Sequence, residues 1–204
     1  MPVTTCTAAD LAAAADGDEE AFARIFRAHQ PLLLRYLRTL AAGAQEDLAA
    51  ETWLRVVRSL RAFDGDLDDF RAWLFTIAHR RYVDHVRALA RRPLELAEAA
   101  ALDLPARQRV EDEVEALLST EQALELIGRL APDQAEVLVL RVVADLDVAA
   151  TAQVVGKSRG AVRVLAHRGL RRLGRILDDE QVSGEMRPAQ GVTPRRRTTV
   201  TGES

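Results

Sequence analysis

Apolar residues recur three and four apart along two long stretches of this chain, 10–92 and 121–177. That period fits α-helices and not half-buried strands. In the first stretch Phe22, Ile25, Phe26 and His29 lead into Leu33, Leu34, Leu37 and Leu40. Pro31 suits a first helical turn, so two helices or one kinked helix fit equally well. QEDLAAETWLRVVRSL reads as a further helix of mixed apolar and charged faces, with Gly43 marking the loop before it. The turn-forming run FDGDLDD, 63–69, ends it. FRAWLFTIAHRRYVDHVRALARRP then gives a helix with Phe70, Trp73 or Leu74, Ile77 and Val83 on its apolar side, stopped at Pro93.

Between Leu94 and about Thr120 the composition shifts to Ala, Glu and Asp and the clear period is lost, which reads as an acidic linker, with or without transient helix. The helical pattern resumes at Glu121, breaks at Ala131-Pro132-Asp133, and continues to Leu177. After Asp178 the chain turns polar and rich in Gly, Pro and Thr, too poor in apolar residues to fold alone. The expected fold is all-α: two small helical domains, 1–92 and 120–178, the second with a helix-turn-helix, joined by a flexible linker at 93–119 and followed by a disordered tail at 179–204.

The sole cysteine, Cys6, excludes a disulfide framework or a cysteine-built metal site within one chain. No apolar run reaches the about 18 residues of a membrane span, and no basic start precedes an apolar core near the N-terminus. A cytoplasmic chain without membrane insertion is expected. The net charge of −3 conceals a strong segregation of sign, with an acidic middle and a basic run from Val148 to Leu177 that no acidic residue interrupts. No HExxH and no other catalytic or metal motif stands out, so no enzyme activity, cofactor or metal is expected.

Gly156-Lys157-Ser158 is the second half of a phosphate-binding P-loop, yet Thr151 stands where the first glycine belongs and the residues before it have helical spacing. The same residues suit the turn of a helix-turn-helix, with Gly156 ending one helix and Ser158 capping the next. In that next helix Val162, Ala166, Leu170, Leu173 and Leu177 would pack inward. Arg159, Arg163, His167 and Arg171 would line the opposite face, widened by Arg168, Arg172 and Arg175. An exposed guanidinium row of this kind suits a DNA major groove. The last helix of the first domain mixes Phe70, Trp73, Phe75 and Tyr82 with His79, Arg80, Arg81, His85, Arg87, Arg91 and Arg92, the combination on which unpaired bases stack.

With these residues in view, the chain resembles the bacterial RNA polymerase sigma factors of the extracytoplasmic-function (ECF, group 4) type. DEEAFARIFRAHQPLLLRYLRTL is similar to the start of their promoter-melting domain, QEDLAAETWLRVVRSL to its polymerase-binding helix, and FRAWLFTIAHRRYVDHVR to its proximal-element helix. LAPDQAEVLVLRVVADLDVAATAQVVGKSRGAVRVLAHRGLRRL is similar to the domain that reads the distal element. The resemblance implies a transcription initiation factor with core RNA polymerase and promoter DNA as partners, and an anti-sigma factor as the inhibitor such proteins commonly have. It assigns polymerase binding to Asp47, Glu51, Trp53 and Arg55, with Trp53 as the exposed aromatic of that surface. The −10-like element falls to Trp73, Ile77, His79, Arg80, Arg81, Asp84 and Arg87. The −35-like element falls to Ser158, Arg159, Arg163, His167, Arg168 and Arg171. The family pattern is departed from at Ala50, at His79-Arg80 and across 163–169, which bears on base choice. A linker of about 27 residues at roughly 3.3 Å each reaches about 90 Å, enough to set two domains on successive elements.

Overall fold

A computed structural model describes residues 6–91 and 114–185. Eight α-helices account for most of the described residues: α1 (Ala8–Ala15), α2 (Glu19–Leu40), α3 (Gln45–Ser59), α4 (Leu67–Arg91), α5 (Val114–Gly128), α6 (Pro132–Val142), α7 (Val148–Val155) and α8 (Arg159–Glu185). A single 3-10 turn, Leu60–Ala62, links α3 to the loop before α4.

Local chemistry sets the helix starts. Thr7 and Asp10 cap α1 reciprocally: the Asp10 N–H donates to Thr7 Oγ1 at 3.2 Å and the Thr7 N–H to Asp10 Oδ2 at 2.8 Å. Arg24 Nε then donates to Asp10 Oδ1 at 2.7 Å, tying α1 to α2. This partner and the two Thr7 hydrogen bonds hold the Asp10 carboxyl below the ordinary aspartate range. Asp18 caps α2 through the Ala21 N–H. Of the two possibilities at Pro31, the continuous helix is the one formed. Proline removes one backbone donor there, but Ile25, His29, Leu33, Tyr36 and Leu37 form an unbroken buried stripe across it. Packing of that stripe holds the helix together.

His29 lies inside this stripe with only 4% of its surface exposed, its ring edge-on to Phe70 and its Nδ1–H donating to the Ile25 carbonyl at 2.9 Å. Burial pushes its pKa below the ordinary histidine range, against the smaller upward pull of that carbonyl. An unfolded chain therefore takes up a proton near pH 6.5 that the folded chain refuses. Stability rises with pH wherever the unfolded state binds more protons, so the stability that depends on neutral His29 is present above that pH and lost as pH falls through it. Urea midpoints measured between pH 7.5 and 5.5 are expected to drop less steeply in His29→Gln than in the wild type; equal slopes would remove His29 as the cause.

The helices of the two halves pack together. α2 contacts α1, α3 and α4 on one side and α5 and α6 on the other, while α4 lies against α7. α6 is the axis of this arrangement: Ala135, Glu136, Val137, Leu138, Val139 and Leu140 are all buried in succession. Six consecutive buried residues cover every face of that stretch, and α2, α5, α7 and α8 all pack against α6.

Two helices extend past the expected domain bounds. Helix α5 begins at Val114, inside the expected linker of 93–119, and α8 runs to Glu185, past the expected end at 178. VEALL is built of helix-compatible residues, and no glycine or proline interrupts 175–183. The rest of the linker and of the tail expectation falls on 92–113 and 186–204, outside the described residues. Among the described residues, no helix is long and apolar enough to cross a membrane. Cys6 is partly buried, and burial raises its thiol pKa, which disfavours the reactive thiolate.

Candidate nucleic-acid interface

The Gly-Lys-Ser segment is built as a helical turn. Asp147 caps α7 through the Ala150 N–H at 2.7 Å. Gly156 ends α7 in the left-handed region, φ 63° and ψ 31°, where a side chain would be strained. The Gly156 and Lys157 N–H groups turn back to the Gln153 and Ala152 carbonyls. Ser158 Oγ accepts from the Ala161 N–H at 3.1 Å and so caps α8. Lys157 Nζ donates to Asp133 Oδ2 at 3.0 Å, pinning the turn to the start of α6. A P-loop lysine would point into a cradle behind a strand; here it is paired, and helix α7 precedes it.

Helix α8 presents Arg159, Arg163, His167 and Arg171 as an exposed row, with Arg168, Arg172 and Arg175 exposed beside it. The inward stripe differs from the expected one. Leu170 and Leu177 are 59% and 45% exposed, while Val162, Gly169, Leu173 and Ile176 face α6 and its neighbours. Gly169 lies in this stripe, where an added Cβ would lie 2.7 Å from Leu138 Cδ1. The absent side chain lets the α8 backbone close on α6, and glycine carries no apolar signal that would reveal this in the sequence. His167, Arg168, Arg171, Arg172 and Arg175 form one basic groove with Arg129 and Gln134 at the α5–α6 turn.

The α4 surface divides in two. On one side Trp73, half-buried, packs at 4.9 Å against Phe63 and at 5.9 Å against Phe70. With Arg55, Ile77 and Arg80 it lines an open cleft. Ile77 is 6% exposed, so it floors this cleft and is not a surface contact. Arg55, expected with the polymerase-binding residues, joins the proximal-element residues here. On the other side Arg80, Arg81, Asp84 and Arg87 line a second cleft whose far wall is Gln153, Val154 and Gly156. Arg81 Nε is buried without a hydrogen bond among the described residues. His79, expected at the proximal-element surface, has its Nδ1 2.6 Å from Glu136 Oε1, turned toward α6.

On α3, Asp47, Glu51 and Arg55 are exposed along one face. Trp53 is corrected from a surface aromatic to a core one: it is 6% exposed, packs on Phe22 and Phe26, and donates its indole N–H to Gln30 Oε1 at 2.6 Å. The apolar residues that do reach the surface are Leu54 and Val57, 56% and 57% exposed. The signal for them was available, since Leu48, Thr52 and Val56 already define the buried side and leave Leu54 and Val57 off it.

The Sigma-70 region 2 family matches residues 25–92, and the Sigma-70, region 4 family matches residues 120–173. The ECF RNA polymerase sigma factor ShbA of Streptomyces griseus is 36% identical over 181 residues, covering 83% of this chain and 94% of ShbA. The ECF RNA polymerase sigma factor SigD of Mycobacterium tuberculosis is 32% identical, covering 80% of each chain. BldN of Streptomyces coelicolor, also an ECF RNA polymerase sigma factor, is 37% identical over 167 residues, and the match spans 80% of this chain but 63% of BldN. In fold, the chain is similar to CnrH, solved in complex with the cytosolic domain of CnrY, at a TM-score of 0.59 and 23% identity, covering 86% of this chain and 99% of that one. It is also similar to the sigma factor RpoE, solved with the anti-sigma factor NepR from Bartonella quintana, at a TM-score of 0.61 and 20% identity, covering 78% and 98%. Two matched regions in order, together with relatives aligned over most of their length, show that the chain belongs to the ECF RNA polymerase sigma factors, whose regions 2 and 4 support promoter-specific transcription initiation with RNA polymerase.

Proposed function

We propose that the chain binds core RNA polymerase, directs it to promoters by reading a −10-like and a −35-like element, and aids strand opening, all without covalent chemistry of its own. The observation that carries this reading is the pairing, on one chain, of two different surfaces suited to nucleic acid. One is an exposed arginine row on the second helix of a helix-turn-helix; the other is a cleft of Trp73, Phe63, Arg55 and Arg80. Arginines at the start of α8 suit guanine edges in a duplex. Aromatic rings beside guanidiniums suit unstacked bases. Asp47, Glu51, Leu54 and Val57 form the polymerase-binding face of α3. CnrH and RpoE were each solved with a protein partner, an anti-sigma factor in the case of RpoE. An anti-sigma factor is accordingly proposed as a regulator of this chain, acting in the cytoplasm where the polymerase works.

Run-off transcription from a genomic fragment library with bacterial core polymerase tests the reading. Discrete start sites that depend on the chain support it. If no start sites appear and the chain fails to comigrate with core polymerase, it is a DNA-binding regulator instead.

Base readout and phosphate contact separate by mutation. Arg163→Ala is expected to weaken distal-element binding by about 1–3 kcal/mol and to relax preference at one base pair. Arg172→Ala, lower on α8 and in the basic groove, is expected to weaken binding to all sequences alike and to reduce the salt slope by about 1. Electrophoretic titration across salt concentrations distinguishes the two, and identical behaviour of the variants would contradict the assignment.

A further inference from the structure

Helix α1 has eight residues, and isolated helices shorter than about 12–15 residues are marginal in water. Its existence therefore depends on docking. Gly17, at φ 103°, turns the chain back after α1, and the Asp18 N–H returns to the Ala13 carbonyl at 3.0 Å, so that α1 folds against α2. Leu11 and Ala14 are buried, and Arg24 Nε donates to Asp10 Oδ1 at 2.7 Å. The Sigma-70 region 2 match begins at residue 25. Helix α1 and Arg24 both precede it, so the matched region does not account for either.

Helix α1 also packs against the 3-10 turn Leu60–Ala62. That turn leads directly into Phe63: Leu60 is 3% exposed, and its carbonyl accepts from the Phe63 N–H at 3.0 Å. The Phe63 ring lies 4.9 Å from Trp73 and lines the cleft assigned to unpaired bases. The far end of the same loop is held by its own residues. The Asp66 N–H donates to Asp69 Oδ2 at 3.2 Å and the Asp69 N–H to Asp66 Oδ1 at 2.9 Å, a reciprocal cap on α4. Gly65 fits so closely there that an added Cβ would lie 2.8 Å from Asp69 Cβ. One end of the loop is thus self-capped, while the end that carries Phe63 continues from α3 and rests on α1.

We propose, resting on the sigma-factor reading above, that α1 is a buttress for strand opening: tied down by Asp10 and Arg24, it holds the Leu60–Ala62 turn so that Phe63 stays against Trp73, ready for an unpaired base. Asp10, Leu11 and Arg24 are positioning residues and touch no nucleotide themselves. The gain is preorganisation. A ring already in place spares the base the cost of ordering it on binding.

The test is residue-resolved amide exchange in the full chain, joined to a measurement of promoter opening. Arg24→Ala removes the tie and no buried apolar group. It is expected to speed exchange at Phe63 about tenfold, the loss of one charge-assisted hydrogen bond, while Asp68, Asp69 and Phe70 in the self-capped end keep wild-type rates. Arg24→Lys, which can still pair with Asp10, is expected to restore most of the protection. Leu11→Ala combined with Arg24→Ala is expected to lower the yield of open complexes, read by permanganate at unpaired thymines, about tenfold as the docked fraction falls. Affinity for core polymerase and for the duplex distal element is expected to stay unchanged, a split that general unfolding would not produce. Equal acceleration at Phe63 and at 68–70 overturns the proposal, as does unchanged exchange at Phe63, or wild-type opening by a chain whose Phe63 amide has been loosened. Failure of the sigma-factor reading has a separate signature: the wild-type chain then opens no promoter, whereas the exchange pattern is read without polymerase or DNA.

Discussion

Phe70→Ala is expected to destabilise the region 2 half by about 3–5 kcal/mol, the range for deleting a fully buried phenylalanine. Phe70 has no exposed surface and stands at the meeting of three elements, touching His29 on α2, Phe63 on the loop after α3, and Trp73 on its own helix. These neighbours come from a second helix, a loop and Phe70's own helix, so they do not move into the void as one unit, which places the cost toward the upper end. Against a total stability of about 5–15 kcal/mol for a domain, that is a large share. Both tryptophans, Trp53 and Trp73, lie in this half, so their fluorescence in a urea titration follows its unfolding. A midpoint shift worth less than about 1 kcal/mol would mean the site repacks, contrary to expectation. Because Phe63 and Trp73 line the cleft with Arg80, the variant is also expected to lose strand opening at temperatures where it remains folded.

The second large effect lies on the surface. Leu54→Glu and Val57→Glu combined are expected to lower affinity for core polymerase by at least about 30-fold, the loss of a hot spot worth about 2 kcal/mol. More than half of each side chain is in solvent, so thermal stability is expected to change by no more than about 0.5 kcal/mol. The pair sits beside Asp47, Glu51 and Arg55, giving an apolar patch with a charged rim, the usual anatomy of a protein contact. Titration of fluorescent core polymerase with the variant measures the loss. Unchanged affinity with unchanged stability would move the polymerase contact away from α3.

Comparing these residues with the sequence reading shows where periodicity is informative. The helices and the turn at Gly156–Ser158 were legible because each rests on local chemistry: spacing, caps, and a glycine in the left-handed region. Trp53 was misplaced because a tryptophan with a polar indole edge reads equally as core or surface, and only the partners Phe22, Phe26 and Gln30, more than 20 residues away, decide it. Leu170 was misplaced for the opposite reason. Its helix lies against Leu138 at Gly169, a residue without a side chain. The contact of His79 with Glu136 was not legible, because the two lie 57 positions apart.

The packing of both halves within one chain also fixes how their contact competes with everything else in the cell. A tethered contact works at an effective concentration set by the tether, on the order of millimolar for a short flexible one. Dilution or overexpression of the chain leaves that value unchanged. Any outside molecule that needs the halves apart acts in proportion to its own free concentration.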